Sequence, residues 1–272
     1  ELKNYRNYEE LHMELNEGTN ILYGDNAQGK TNILEAVYVC CTSKSHKNAK
    51  DRDIIRFDQD ESHIKMQIRK NDVPYRIDMH LKKNKPKGIA INGMPIRRAS
   101  ELFGIANVVC FSPEDLNIIK NGPSERRRFI DMELCQLNKL YVHSLVQYNK
   151  VLVQRNKLLK ELAFRPDYGE TLDVWDMQLV NYGKEVMEYR GDFVCRLNEM
   201  IHGIHARLSG QKEDLKICYE PDTAAAQFEE ALKRSRRRRC AARTGTTSVF
   251  LSTASISANS VPRDSSARRL CP

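Results

Sequence analysis

Gly24 to Thr31 read GDNAQGKT, a stretch that satisfies G-x-x-x-x-G-K-[ST] at each fixed position. The apolar run TNILY (Thr19–Tyr23) leads in, and NILEAVYVCCT (Asn32–Thr42) leads out. The order predicted is therefore strand, turn, helix, with Ile33, Leu34, Val37, Val39 and Cys40 as the apolar positions of the helix. Gly24 and Gly29 let the backbone turn so that the N–H groups from Asp25, Asn26, Ala27 and Gln28 onward point inward at phosphate oxygens. The start of the next helix adds its partial positive charge. Lys30 reaches the β- and γ-phosphates, and the Thr31 hydroxyl ligates Mg²⁺. The bland alternative is a glycine-rich turn with no ligand, but strand, spacing and helix all favour a nucleotide. Guanine-specific switches carry Asn-Lys-x-Asp; Asn138-Lys139 and Asn156-Lys157 lack the Asp. Adenine, as ATP, is the nucleotide expected.

Residues 1–111 alternate as strands do, in ELKNYRNY, LHMEL, NILYG, HIKMQIR, YRIDMHL and KGIAING, with turn signals at Asn71-Asp72, Asn84–Pro86 and Asn92-Gly93. From Ser112 to about Arg234 the period becomes helical. Phe129, Met132, Leu137, Leu140, Tyr141, Leu145 and Tyr148 recur mostly three or four apart, and Asp173–Leu208 repeats this after the loop AFRPDYGETL. The division expected is a sheet-rich nucleotide-binding lobe over 1–111, a helical lobe over 112–235 and a tail over 236–272. The fold class is α/β, a phosphate-loop head with a mixed sheet beside a helical second lobe.

The totals exclude several classes. No apolar run approaches the roughly 18 residues of a membrane span, and the start has no signal-peptide layout. The eight cysteines are scattered without CxxC or His-Cys ligand spacing, as in a cytoplasmic protein with reduced thiols. A sequence that does not open on Met suggests a clipped first strand. The net charge of +8 suggests nucleic acid, yet residues 236–272 hold eight Arg and one Asp and supply +7 of it. Bulk charge therefore decides little.

Five stretches in order, LKNYRNY, GDNAQGKTNILEAVY, SKSHKNAKDRDII, VVCFSPEDL and GPSERRRFIDMEL, resemble the RecF family of bacterial recombination-repair proteins across about residues 1–235. These are ABC-type ATPases related to the heads of structural-maintenance-of-chromosomes proteins, without the long coiled coil. The resemblance implies ATP and Mg²⁺ as cofactors and binding to single-stranded or gapped DNA. It also implies RecO and RecR as partners, an ATP-dependent homodimer in the complete protein, and roles in repair, replication restart and SOS induction. Arg6 matches an arginine that such heads place near the phosphates; a solvated strand residue is the alternative. Ser45-His46-Lys47 matches a Ser-His-Arg triplet, with Lys47 lacking the bidentate fork of Arg. FSPED occupies the Q-loop position, making Glu114 a candidate γ-phosphate sensor. Ser112 as N-cap and Pro113 at the first helical position also read as an ordinary helix start.

Two basic clusters could contact DNA phosphates, a task needing cations but no base reading. One is Arg126, Arg127 and Arg128. The other is the hairpin tip holding Lys82, Lys83, Lys85 and Lys87. For either, a solvated face is the competing reading.

An ABC site also needs a signature motif and an acidic pair for Mg²⁺ and water, and the chain contains neither. The tail offers a reason. From Arg238 onward, the last base of each codon joined to the first two of the next, with allowed synonymous codons, spells GPHRDD and then SQGQQRT, the family's signature region in family order. Residues from about 238 to 272 are therefore expected to be an out-of-frame, unstructured translation of that region. A disordered Ser/Thr/Arg tail is the alternative. Two rival functions are a nucleotide-gated clamp without a DNA role and an unrelated phosphate-loop kinase.

Overall fold

The computed structural model describes residues 1–120, 122–161, 169–211, 215–221, 223–241 and 253–257. They fall into two units, one of Glu1–Asp115 with Cys135–Lys139 and the other of the remaining residues from Leu116.

The first unit is built on a six-stranded sheet in the order β2-β1-β3-β4-β5-β6. Its strands are β1 (Leu2–Tyr5), β2 (Tyr8–Leu11), β3 (Glu61–Lys70), β4 (Val73–Lys82), β5 (Gly88–Ile91) and β6 (Met94–Pro95). Local chemistry sets the register. Asn71 and Asp72 both take left-handed φ angles, 50° and 62°, which closes a two-residue turn and pairs Lys70 with Val73. Asn92 and Gly93 do the same between Ile91 and Met94. Ser62 and Ile64 of β3 and Ile77, Met79 and Leu81 of β4 turn inward, while Glu61, His63, His80 and Lys82 occupy the other face. Helix α1 (Lys30–Thr42) contributes Ala36, Val39 and Cys40 to the same core, and the short α2 (Asp51–Ile54) adds Ile54. Full burial of a side chain such as Ile77 stabilises by about 1.5–3 kcal/mol.

The structure corrects four expectations in this unit. The sheet is antiparallel throughout its described pairs rather than mixed. The run Thr19–Tyr23 is not a strand, and LHMEL contributes only Leu11 to one. Ile21 and Tyr23 remain 78% and 91% exposed, so this stretch has no ladder that would fix it as a strand. Val109 and Phe111 are likewise 87% and 85% exposed. Their neighbour Val108 is held by a side chain instead: Gln136 Nε2 donates to its carbonyl at 3.1 Å, and its N–H donates to Gln136 Oε1 at 2.7 Å. Leu34, counted as apolar face, is also exposed, and Glu35 takes the buried place beside it.

The second unit is mainly helical, with α3 (Asn117–Lys120), most of α4 (Pro123–Leu137), α5 (Lys139–Glu161) and α6 (Gly169–Leu208). At about 1.5 Å per residue, the 40 residues of α6 extend roughly 60 Å. Gly183 sits in mid-helix because a Cβ there would meet Phe228 Cε1 at 2.5 Å and Tyr148 Cε2 at 3.2 Å. Buried charges are paired. Arg155 bonds Asp176, and Arg190 reaches Asp131 Oδ1 at 2.7 Å and the Tyr141 hydroxyl at 3.2 Å.

Helix α6 begins earlier than the expected loop allows, and β7 (Lys216–Glu220) interrupts the helical stretch. Asn198 secures β7: its Nδ2 donates to the Ile217 carbonyl at 2.7 Å, and its Oδ1 accepts from the Ile217 N–H at 2.8 Å. The expected unstructured tail is corrected in part. Helix α7 (Phe228–Ala241) runs through the four arginines, and β8 (Thr253–Ser257) pairs antiparallel with β7. An extended TASIS segment needs only backbone groups to satisfy such a pairing. The rest of the tail lies outside the described residues, as does most of the loop before α6.

Candidate functional site

The phosphate loop leaves an extended segment and enters α1 at Lys30, with Gly29 as N-cap at φ 99°. Gly24 (φ 142°) and Ala27 (φ 66°) also take positive φ, so the loop turns sharply where the motif requires it. Gly29 has a second constraint. A Cβ there would lie 2.6 Å from Asn7 Oδ1 and 2.7 Å from the Tyr8 hydroxyl. These two residues, at the β1–β2 turn, brace the loop from beside it. Asn7 Nδ2 and the Tyr8 hydroxyl both donate to the Gln28 carbonyl, at 3.1 and 3.2 Å. Asn32 Nδ2 closes the group by donating to Asn7 Oδ1 at 2.9 Å.

Lys30 lies across the loop, its ammonium donating to the carbonyls of Gly24 and Asp25 at 2.7 and 2.6 Å. Asp25, Asn26, Ala27, Gln28 and Thr31 are exposed. The first N–H groups of a helix lack intrahelical partners, so the start of α1 offers donors and partial positive charge beside a side-chain cation. That donor set suits an anion as large as a triphosphate. When bound, Mg²⁺ would neutralise phosphate charge, and Thr31 is placed at the helix start to offer its hydroxyl.

Arg6 sits next to the brace but faces protein groups. Its Nε and Nη2 form a bidentate pair with Glu35 at 2.9 and 2.7 Å, and Nη1 donates to the Asp53 carbonyl at 2.8 Å. The guanidinium is therefore held by protein groups rather than solvated. Glu35 is fully buried and also accepts from Ser45 Oγ at 2.5 Å. Burial pushes its carboxyl up, but the hydrogen bonds from Arg6 and Ser45 and the charge of Arg6 outweigh this and hold it below the ordinary carboxylate value. The same network takes up the first residue of the Ser45-His46-Lys47 triplet, while His46 meets Tyr38 edge-on. Asn7, Tyr8, Asn32 and Glu35 were not singled out by sequence reasoning. The only signal for them was adjacency, within NYRNY or just after the motif.

The other candidates are dispersed. Glu114 has its backbone in the turn Pro113–Leu116, and its side chain lies outside the described residues. The Ser112 N–H donates to Asp115 Oδ2 at 2.6 Å, the capping contact of an ordinary helix start. Arg126, Arg127 and Arg128 lie in the early turns of α4 and are half-buried. Arg126 donates to the Ile118 carbonyl at 3.2 Å, and Arg128 stands 3.9 Å from Glu125. The lysine tip separates into two kinds. Lys82 and Lys83 pair on the sheet surface with Glu61 at 3.1 Å and Asp60 at 3.5 Å, and Lys85 is exposed. Lys87 instead turns inward, donating to the Ser43 carbonyl at 2.5 Å and to Asp51 at 2.9 Å, so it ties α1 to α2 and leaves the basic tip.

The AAA domain family model matches residues 1–182. The DNA replication and repair protein RecF of Lachnospira eligens is 62% identical over 240 residues, covering 88% of this chain and 66% of its own length. RecF of Lachnoclostridium phytofermentans is 61% identical over 238 residues, with the same coverage. The chain thus spans 66% of the length of these relatives. A solved structure of the recombination mediator protein RecF with ATP, from the RecFOR pathway, superposes with a TM-score of 0.86 at 28% identity, covering 96% of this chain and 72% of that one. Among the described residues, no helix is long and apolar enough to cross a membrane.

Proposed function

The chain belongs to the AAA domain family and, within it, to the RecF proteins, and on that footing we propose that it is the ATP-binding front part of a DNA repair and replication protein. Mg-ATP binds at Gly24–Thr31. In the complete protein, a cytoplasmic ATP-dependent homodimer acts on single-stranded or gapped DNA with RecO- and RecR-type partners, in repair, replication restart and SOS induction. The observation that carries this reading is the braced loop, with Lys30 over it and the start of α1 beneath. Arg126, Arg127, Arg128, Lys82, Lys83, Lys85 and Lys87 are the DNA-facing candidates, with the Lys87 ammonium also engaged by Ser43 and Asp51. Glu114 remains the proposed γ-phosphate sensor.

No acidic pair or signature motif accompanies the loop in this sequence. Without them there is no oriented water and incomplete stabilisation of the charge on the transferring phosphoryl. This chain therefore binds ATP with turnover near background. We attribute the lack to an out-of-frame reading from about residue 238, a proposal that sequencing the encoding DNA across codons 230–272 decides. The functional test uses the version restored to frame. ATP turnover that rises with single-stranded DNA supports the repair reading, while turnover indifferent to DNA supports a clamp-type protein. Neutralising Arg126–Arg128 should weaken DNA binding across all sequences and flatten its salt dependence.

A further inference from the structure

The face of the sheet turned away from α1 carries a second cluster that the nucleotide site does not use. Glu61 and His63 are two residues apart on β3, and His80 on β4 is the direct cross-strand partner of His63. Alternation along a strand puts all three on one face. The imidazoles stack with centroids 4.1 Å apart and planes inclined by 16°. His80 Nε2 is 3.2 Å from Glu61 Oε2, and His63 Nε2 is 4.0 Å from Glu61 Oε1. One ligand atom from each residue lies within 4.8 Å of the others.

We propose that Glu61, His63 and His80 form a binding site for a divalent transition ion of the zinc type. Two neutral imidazoles and one carboxylate are a donor set that Zn²⁺ takes in sites with one position open to water. Bonds of about 2.0–2.1 Å in a tetrahedron place the donor atoms about 3.3 Å apart, so on binding His63 and His80 leave their stacked arrangement and turn one nitrogen each toward the ion. The backbone is already fixed: β3 and β4 pair over ten consecutive residues, and the turn at Asn71-Asp72 sets their register. Imidazole nitrogen suits Zn, Cu, Ni and Fe, whereas Mg²⁺ and Ca²⁺ demand an oxygen-rich shell that these three side chains do not supply. Lys82 is the built-in competitor, its ammonium 3.1 Å from Glu61 Oε2. The ion would clip β3 to β4 on the face opposite the core, and its binding is independent of the nucleotide.

The test is titration of the full chain, stripped of metal by dialysis, with CoCl₂ followed by visible absorption and with ZnCl₂ by calorimetry. One equivalent of each ion is expected, with no thiolate charge-transfer band. His63→Ala and His80→Ala should each weaken Co²⁺ binding by at least about tenfold. Lys82→Gln should tighten it severalfold, a gain that misfolding cannot mimic and that decides the matter if either histidine variant loses its circular dichroism signal. Absence of saturable binding, a thiolate band, unchanged affinity in both histidine variants, or no gain in Lys82→Gln would each overturn the site.

Discussion

Strand β4 and the run Thr19–Tyr23 carry similar apolar sequence, in the same unit, and end in opposite states. Strand β4 lies between β3 and β5 and leaves Ile77 and Leu81 with no exposure at all. The run before the phosphate loop exposes most of Ile21 and Tyr23. Alternation of apolar residues is thus a capacity to pair, and a strand appears where a neighbour completes the ladder. The phosphate loop escapes this dependence. Its form comes from glycine backbone angles, from the start of α1 and from Asn7, Tyr8 and Asn32, none of which needs the preceding run to be paired.

The largest effect should come from Glu35, which joins the β1–β2 turn to the helix that carries the loop. Glu35→Ala leaves the Arg6 guanidinium without its buried partner and should cost about 3–5 kcal/mol in urea unfolding. The pH dependence has a definite sign. The folded-state carboxyl lies below its ordinary value of 4.5, so its contribution is complete above that value and is lost as pH falls through the lower folded one. The parent chain should therefore lose more stability than Glu35→Ala on acidification below about pH 4.5. Equal losses would remove the carboxylate from the account.

Next comes the paired strand against the unpaired one. Ile77→Ala should cost about 2–5 kcal/mol, as core truncations do, while Ile21→Ala should change stability by less than about 0.5 kcal/mol. A large cost at Ile21 would show that the run is buried in solution and would break the comparison. Smaller again is Gly29→Ala. Both the left-handed φ and the collision with Asn7 and Tyr8 oppose a Cβ, for a loss of about 1–3 kcal/mol together with weakened nucleotide binding. Full retention of both would mean that the brace does not hold the loop.

Much of this architecture was legible in the sequence because the information was local. The two Asn-containing turns, the motif with its helix, and the alternation of β3 and β4 each depend on residues close in the chain. Strand β7 and the continuation of helix α7 past Arg234 were missed because their support is distant: Asn198 holds Ile217, and Phe228 at the start of α7 packs at Gly183. At the site, the residues of the loop Gly24–Thr31 follow from spacing. The inward turn of Lys87 and the Arg6–Glu35–Ser45 network do not, because a charge run in sequence does not reveal which cation finds a carboxylate 29 or 36 positions away.

The most direct measurement is a fluorescence titration of Mg-ATP against the parent chain and Lys30→Ala. The ammonium over the loop, on the Gly24 and Asp25 carbonyls, is the side-chain cation we propose for the β- and γ-phosphates. A hydrogen bond to a charged group contributes about 1.5–3 kcal/mol, so the variant should bind at least about tenfold more weakly. An affinity for Mg-ATP unchanged by Lys30→Ala, with the fold intact by circular dichroism, would contradict the assignment of Gly24–Thr31 as the nucleotide site.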